Sequence, residues 1–208
     1  MLAPFKNLLF DFGGVLIDLD INKSFIELST LLDLDPNEFQ NLINDMMPFM
    51  KRYEKGEIGS ETFIWNVQKL TNKKVDIKSL IEAWNAMLLG WNPAKLDFLS
   101  KICKVYPCYL LSNTNELHME WVMKDLKASH NIIDFNQRYF VKTYYSYIIG
   151  MRKPDLEIYD FVARNAGIRP EDTLFLDDSL PNIEAAASLG YQVMHHECNA
   201  SLDFLLPY

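Results

Sequence analysis

Leu8-Leu9-Phe10-Asp11-Phe12-Gly13-Gly14-Val15-Leu16 is an apolar run broken by one carboxylate and a pair of glycines. The spacing predicts a short buried strand that stops at a turn, with Asp11 at its tip. Three later runs share this character: Tyr109-Leu110-Leu111 before Ser112-Asn113, Thr173-Leu174-Phe175-Leu176 before Asp177-Asp178, and Tyr191-Gln192-Val193-Met194. Strands that are apolar throughout, rather than at alternate positions, belong to a sheet covered on both faces.

Helical patterns separate these strands. Leu156, Ile158, Tyr159 and Val162 fall at helical spacing between Pro154 and Gly167, and Pro181 and Gly190 bracket a second helix from Asn182 to Leu189. The alternation predicts an α/β fold, a doubly wound parallel sheet with right-handed crossovers. Between residues 16 and 91 the pattern changes to consecutive helix signals without a convincing strand. Asn22 can cap a helix reaching Leu32, Asp35-Pro36-Asn37-Glu38 carries a complete capping box, and Ser60 and Asp76 can cap two more. The expected organisation is a core of residues 1–15 and 92–208 interrupted by a helical cap of residues 16–91.

Composition narrows the function. A chain of 208 residues with 49% hydrophobic content can bury a full core. A formal charge of −8 and a pI of about 5.0 leave no broad basic surface for nucleic acid. No apolar stretch is long enough to span a bilayer, and the first residues carry no export signal. Cys103, Cys108 and Cys198 are odd in number and scattered, as expected of reduced thiols in a cytoplasmic protein. No feature asks for an obligate protein partner.

In a doubly wound sheet, ligands bind beyond the carboxyl ends of the strands. The polar residues there are Asp11, Ser112, Asn113, Asp177 and Asp178. Three carboxylates converging on one crevice repel one another, and a hard divalent cation such as Mg²⁺ relieves that repulsion while bridging to phosphate oxygens. Lys153 stands just before a helix, where a cation opposes the helix dipole and calls for an anion. A small phosphorylated metabolite fits this combination. The bland alternative, that Asp177-Asp178 merely turns and caps the chain before Pro181, accounts for that pair but not for the others.

Four motifs now stand in order: Asp11-Phe12-Gly13-Gly14-Val15-Leu16, Leu111-Ser112-Asn113-Thr114-Asn115, Gly150-Met151-Arg152-Lys153-Pro154-Asp155, and Phe175-Leu176-Asp177-Asp178 followed by Asn182. Together they resemble the haloacid dehalogenase superfamily, in particular its phosphatases with a helical cap inserted after the first strand. The resemblance implies that Asp11 is a nucleophile forming an aspartyl-phosphate. It implies Mg²⁺ held by Asp11, the Gly13 carbonyl and Asp177, with Asp178 and Asn182 acting directly or through water. Ser112 and the Asn113 backbone would bind the phosphoryl oxygens, and Lys153 would neutralise charge on Asp11 and the phosphoryl group.

One position departs from the family pattern. Most of its phosphatases carry a second aspartate two residues after the nucleophile, where this chain has Gly13. Glu54 and His118 are the candidate replacement proton donors, and the Tyr53-Glu54-Lys55-Gly56-Glu57 stretch is a candidate substrate-contacting loop. A subset with an Asp-x-Gly first motif and a Gly-Met-Arg-Lys-Pro third motif implies a phosphatase of the α-glucose 1-phosphate type. Two rivals stay open: a dehalogenase-type hydrolase that displaces halide from carbon, and a catalytically impaired module that only binds a phosphorylated metabolite. The four tryptophans and the many methionines are read as packing rather than as a cofactor box.

Overall fold

A computed structural model describes residues 4–71 and 73–206. Its elements run β1 (Asn7–Phe10), α1 (Ile21–Leu31), α2 (Pro36–Glu54), α3 (Ser60–Thr71), α4 (Ile77–Asn85), α5 (Pro93–Ile102), β2 (Cys108–Ser112), α6 (Glu116–His130), α7 (Phe135–Tyr139), β3 (Lys142–Tyr145), α8 (Ser146–Ile149), α9 (Leu156–Ala166), β4 (Thr173–Asp177), α10 (Leu180–Ser188) and β5 (Gln192–His195). The five strands form one parallel sheet in the order β3-β2-β1-β4-β5. The chain winds outward from β1 through β2 to β3, then crosses back to β4 on the other side of β1. That reversal leaves a crevice at the carboxyl ends of β1, β2 and β4, where such sheets bind ligands.

Successive side chains on a strand point to opposite faces, and the core divides accordingly. Leu8, Phe10, Leu110, Leu174 and Leu176 pack with Phe98 and Ile102 of α5 and Val122 and Leu126 of α6. Leu9, Tyr109, Leu111 and Phe175 pack on the other face with Ile158, Tyr159 and Val162 of α9 and Ile183 of α10. The doubly wound reading of the sequence is therefore correct.

β3 is an addition to that reading. Lys142-Thr143-Tyr144-Tyr145 is a four-residue edge strand with an exposed lysine at its start. Its Thr-Tyr-Tyr composition favours a strand, but the length is too short to stand out from the loop before α8.

Helices α1 to α4 build a separate cluster from Leu28, Leu32, Leu42, Met46, Phe63 and Trp84, joined by Leu117 from α6. Leu16, Ile17, Leu88 and Trp91 pack with the sheet's core instead. Two caps differ from expectation. Asp20, not Asn22, caps α1 by accepting the Asn22 amide, because its carboxylate stands at the extended residue preceding the first turn. Ser60 opens α3 but turns its hydroxyl to Tyr53 and Glu116. Asp35 and Glu38 make the capping box of α2, and Asp76 caps α4 through the Ser79 amide at 2.9 Å. No described helix is long and apolar enough to cross a membrane, and all three cysteines are free.

Candidate active site

Asp11 follows β1 directly, and its amide donates to the Leu176 carbonyl of β4 at 2.8 Å. This bond ties the tip of β1 to the tip of β4 and sets Asp11 beside Asp177. Carboxylate oxygens of Asp11, Asp177 and Asp178 lie within 4.8 Å of one another. Lys153 enters from the α8–α9 connection, its Nζ donating to Asp11 Oδ1 at 2.5 Å, Asp177 Oδ2 at 2.6 Å and the Leu111 carbonyl at 2.9 Å. Asp11 is 7% exposed, Asp177 0% and Lys153 1%.

Each member is held by a neighbour. Asp177 Oδ1 accepts from the Ser179 amide at 2.8 Å and from Asn182 Nδ2 at 2.9 Å, and Asn182 also reaches Oδ2 at 3.1 Å. The side chain of Asn113 clamps the Lys153 backbone at both ends, accepting from its amide and donating to its carbonyl, each at 2.8 Å. Sequence reasoning gave Asn113 only a backbone role; its hold on Lys153 links residues 40 apart and carries no local signal. Ser112 ends β2, buried, beside the same crevice. Gly14 has φ +74°, and a Cβ there would run into the Asp178 carboxylate and meet Cys198 Sγ at 3.0 Å. The glycine pair therefore does more than turn the chain, because it lets Asp178 approach the tip of β1.

Three carboxylates against one ammonium leave a net charge of −2 when all are ionised. Burial pushes the Asp11 pKa up to about 7; Lys153 opposes the rise and Asp177 adds to it. Burial also raises Asp178, with the charge of Asp177 contributing. For Lys153 burial disfavours the charge, but Asp11 and Asp177 outweigh it, so its pKa is raised and the ammonium persists. An all-oxygen donor set in a pocket short of two positive charges fits a hard divalent cation.

Beside this cluster, a cavity of about 330 Å³ separates the sheet tips from the helical segment. Gly13, Ser112 and Asn113 line it from the sheet tips, and Phe25, Met50 and Trp84 contribute apolar lining. Both candidate proton donors also line it. Glu54, the last residue of α2, is paired with Arg152, whose Nε and Nη2 both reach Oε2, at 3.0 and 2.9 Å. His118 stacks on Trp84 with ring centroids 5.2 Å apart, and its Nε2 is buried without a hydrogen-bond partner. His195 Nε2 donates to the Asp178 carbonyl, and His196 is turned to Ala200.

An aspartate at the tip of the first strand, a lysine shared between two aspartates and a helical segment roofing the crevice define a hydrolase of the haloacid dehalogenase type. The chain belongs to that family, the haloacid dehalogenase-like hydrolases, which it matches over residues 5–190. It is 32% identical over 198 residues to D-ribitol-5-phosphate phosphatase of Bacteroides thetaiotaomicron, spanning 94% of this chain and 93% of that protein. It superposes on the magnesium complex of a haloacid dehalogenase-family enzyme from the same organism with a TM-score of 0.87, at 35% identity, over 98% of each chain. An aspartate-to-alanine form of that enzyme, in complex with magnesium and inorganic phosphate, superposes at 0.84 with 35% identity over 97% of this chain and 98% of that one. An L-2-haloacid dehalogenase, at 18% identity and a TM-score of 0.60, shares the fold.

Proposed function

We propose that this chain is a magnesium-dependent phosphomonoesterase that moves the phosphoryl group of a small sugar or sugar-alcohol phosphate first to Asp11 and then to water. The observation that carries the reading is the buried meeting of Asp11, Asp177, Asp178 and Lys153 at the tips of β1 and β4. The relatives support it: one is by name a phosphatase of a sugar-alcohol phosphate, and another was crystallised with magnesium. The expectation of α-glucose 1-phosphate is widened accordingly to sugar phosphates of both the anomeric and the primary-alcohol kind.

Asp11 attacks phosphorus through a carboxylate oxygen, giving an acyl phosphate that water cleaves readily. Lys153 holds Asp11 in line and offsets charge on the transferring group, the kind of preorganised electrostatic contribution that dominates phosphoryl transfer. The Ser112 hydroxyl and the Asn113 amide bind the phosphoryl oxygens. Asn182 and the Ser179 amide keep Asp177 oriented. Asp11, Asp177, Asp178 and the Gly13 carbonyl would hold Mg²⁺, which would supply the remaining positive charge that the phosphoryl group and the carboxylates require.

A phosphate-release screen over sugar 1-phosphates, sugar 5- and 6-phosphates, sugar-alcohol phosphates and nucleotides tests the reading. Turnover should depend on Mg²⁺, stop with chelator, and vanish in Asp11→Asn. Release of phosphate that persists in Asp11→Asn or in chelator, or halide release from a haloacid, defeats it.

A further inference from the structure

Phosphoryl transfer from an ordinary alcohol leaves a strongly basic alkoxide that needs a proton, and the groups at the cluster cannot give one. Asp11 is spent as the nucleophile, and Asp177 and Asp178, as ligands of the divalent cation, would be ionised. The three N–H bonds of Lys153 go to Asp11, Asp177 and the Leu111 carbonyl, which exhausts its donors. Gly13 has no side chain, and the space a Cβ would enter is filled by Leu19, whose Cδ1 would lie 2.6 Å away. The donor therefore has to come from the cavity that receives the alcohol.

Two titratable side chains line that cavity among the described residues, His118 and Glu54. His118 is unsuited. Asn115 Oδ1 accepts the His118 amide, so its Nδ2 faces the ring and donates to Nδ1 at 3.2 Å. The remaining proton is on Nε2 of a neutral imidazole, which is a poor acid.

We propose that Glu54, carried to the cavity by the last turn of α2, is the general acid that protonates the departing alcohol. The proposal rests on the phosphatase reading and adds a catalytic residue to it. Both guanidinium contacts from Arg152 fall on Oε2, which orients the carboxyl and leaves Oε1 to carry the proton. The charged groups facing Glu54 are Arg152 and Lys153 from the core and Lys51 on its own helix; all three favour the carboxylate, yet burial outweighs them and its pKa is raised. The helix end is itself pinned to the core. Lys55 pairs with Asp155 at 3.0 Å, and Gly56, at φ +66°, lies where any Cβ would run into the Tyr147 carbonyl. Glu54 is thereby held at the cavity by contacts between the helical segment and the α8–α9 connection.

In the first step the bond from Asp11 oxygen to phosphorus forms as the bond from phosphorus to the alcohol oxygen breaks, and that oxygen takes the Glu54 proton. In the second, water attacks phosphorus and gives its proton to the Glu54 carboxylate. The bond from the Asp11 oxygen to phosphorus breaks, inorganic phosphate leaves, Asp11 is again an ionised carboxylate, and Glu54 ends protonated as it began.

The test compares Glu54→Gln with the full-length wild type on two esters, p-nitrophenyl phosphate, whose leaving group needs no proton, and the best primary-alkyl sugar phosphate from the screen. On the alkyl ester kcat should fall by about 10²–10⁴-fold, with a loss on the aryl ester at least about tenfold smaller. The glutamine keeps an acceptor for Arg152, and aryl turnover reports an intact nucleophile and fold. Over a series of alcohols of rising basicity, kcat should fall steeply in the variant and shallowly in the wild type. Equal losses on both esters, or an unchanged alkyl rate, overturn the role of Glu54. A wild type that hydrolyses neither ester overturns the phosphatase reading itself.

Discussion

Lowering the pH should strip stability from this protein through one buried ring, His118. The ring is stacked on Trp84 of the helical segment while anchored on α6 of the core, and burial depresses its pKa from 6.5 to about 4. A depressed pKa means that the folded state resists protonation while the unfolded state accepts it. The stability contributed by neutral His118 is therefore complete above pH 6.5 and is lost as pH falls toward 4. At about 1.4 kcal/mol per pH unit, the gap between 6.5 and about 4 amounts to roughly 3 kcal/mol. Carboxylates titrate in the same range, so the measurement is a difference. Urea unfolding of wild type and His118→Gln is followed from pH 7.5 to 4.0 in chelator, and the stability of the wild type minus that of the variant is plotted. The difference should favour the wild type at pH 7.5 and shrink by about 2–3 kcal/mol toward pH 4. A flat difference would refute the claim that the ring is held neutral by burial.

Three other perturbations probe the site and its support. Lys153→Met leaves Asp11 and Asp177 buried and unneutralised, so chelator-treated protein should lose about 3–5 kcal/mol in denaturant titrations; kcat should fall by at least about 10²-fold, and unchanged stability would show the ion pairs to be idle. Gly14→Ala forces a side chain into a left-handed backbone position against the Asp178 carboxylate; calorimetry should show weakened Mg²⁺ binding together with a folding cost of at least about 1 kcal/mol, and wild-type affinity would remove Asp178 from the metal site. Asp35→Ala deletes the capping box of α2 and should cost about 1 kcal/mol in thermal unfolding, whereas an unshifted midpoint would mean that packing alone sets the start of that helix.

How much of this was legible in the chain depends on the range of the interaction concerned. Apolar runs ending in Asp11, Ser112 and Asp177 marked three strand tips, because burial on both faces and the chemistry of a turn are written in neighbouring residues. The capping box at Asp35 and the cap at Asp76 were legible for the same reason. β3 escaped notice because an edge strand needs fewer apolar residues, and its pairing with β2 is a property of the sheet. The cap of α1 moved from Asn22 to Asp20 since either side chain could serve, and the contact at Leu19 and Leu88 fixes where the chain turns.

The sequence by itself determined the parallel layered fold, the acids at the strand ends and the absence of a side-chain acid at Gly13, since each is expressed within a few consecutive residues. Only the tertiary structure decided that Asn113 grips the Lys153 backbone, that all three donors of Lys153 are consumed, and that Glu54 meets Arg152 across a sequence separation of 98. Those facts arise when crossovers and docked helices bring distant segments within hydrogen-bond reach, and no local pattern of residue types encodes which partners will meet.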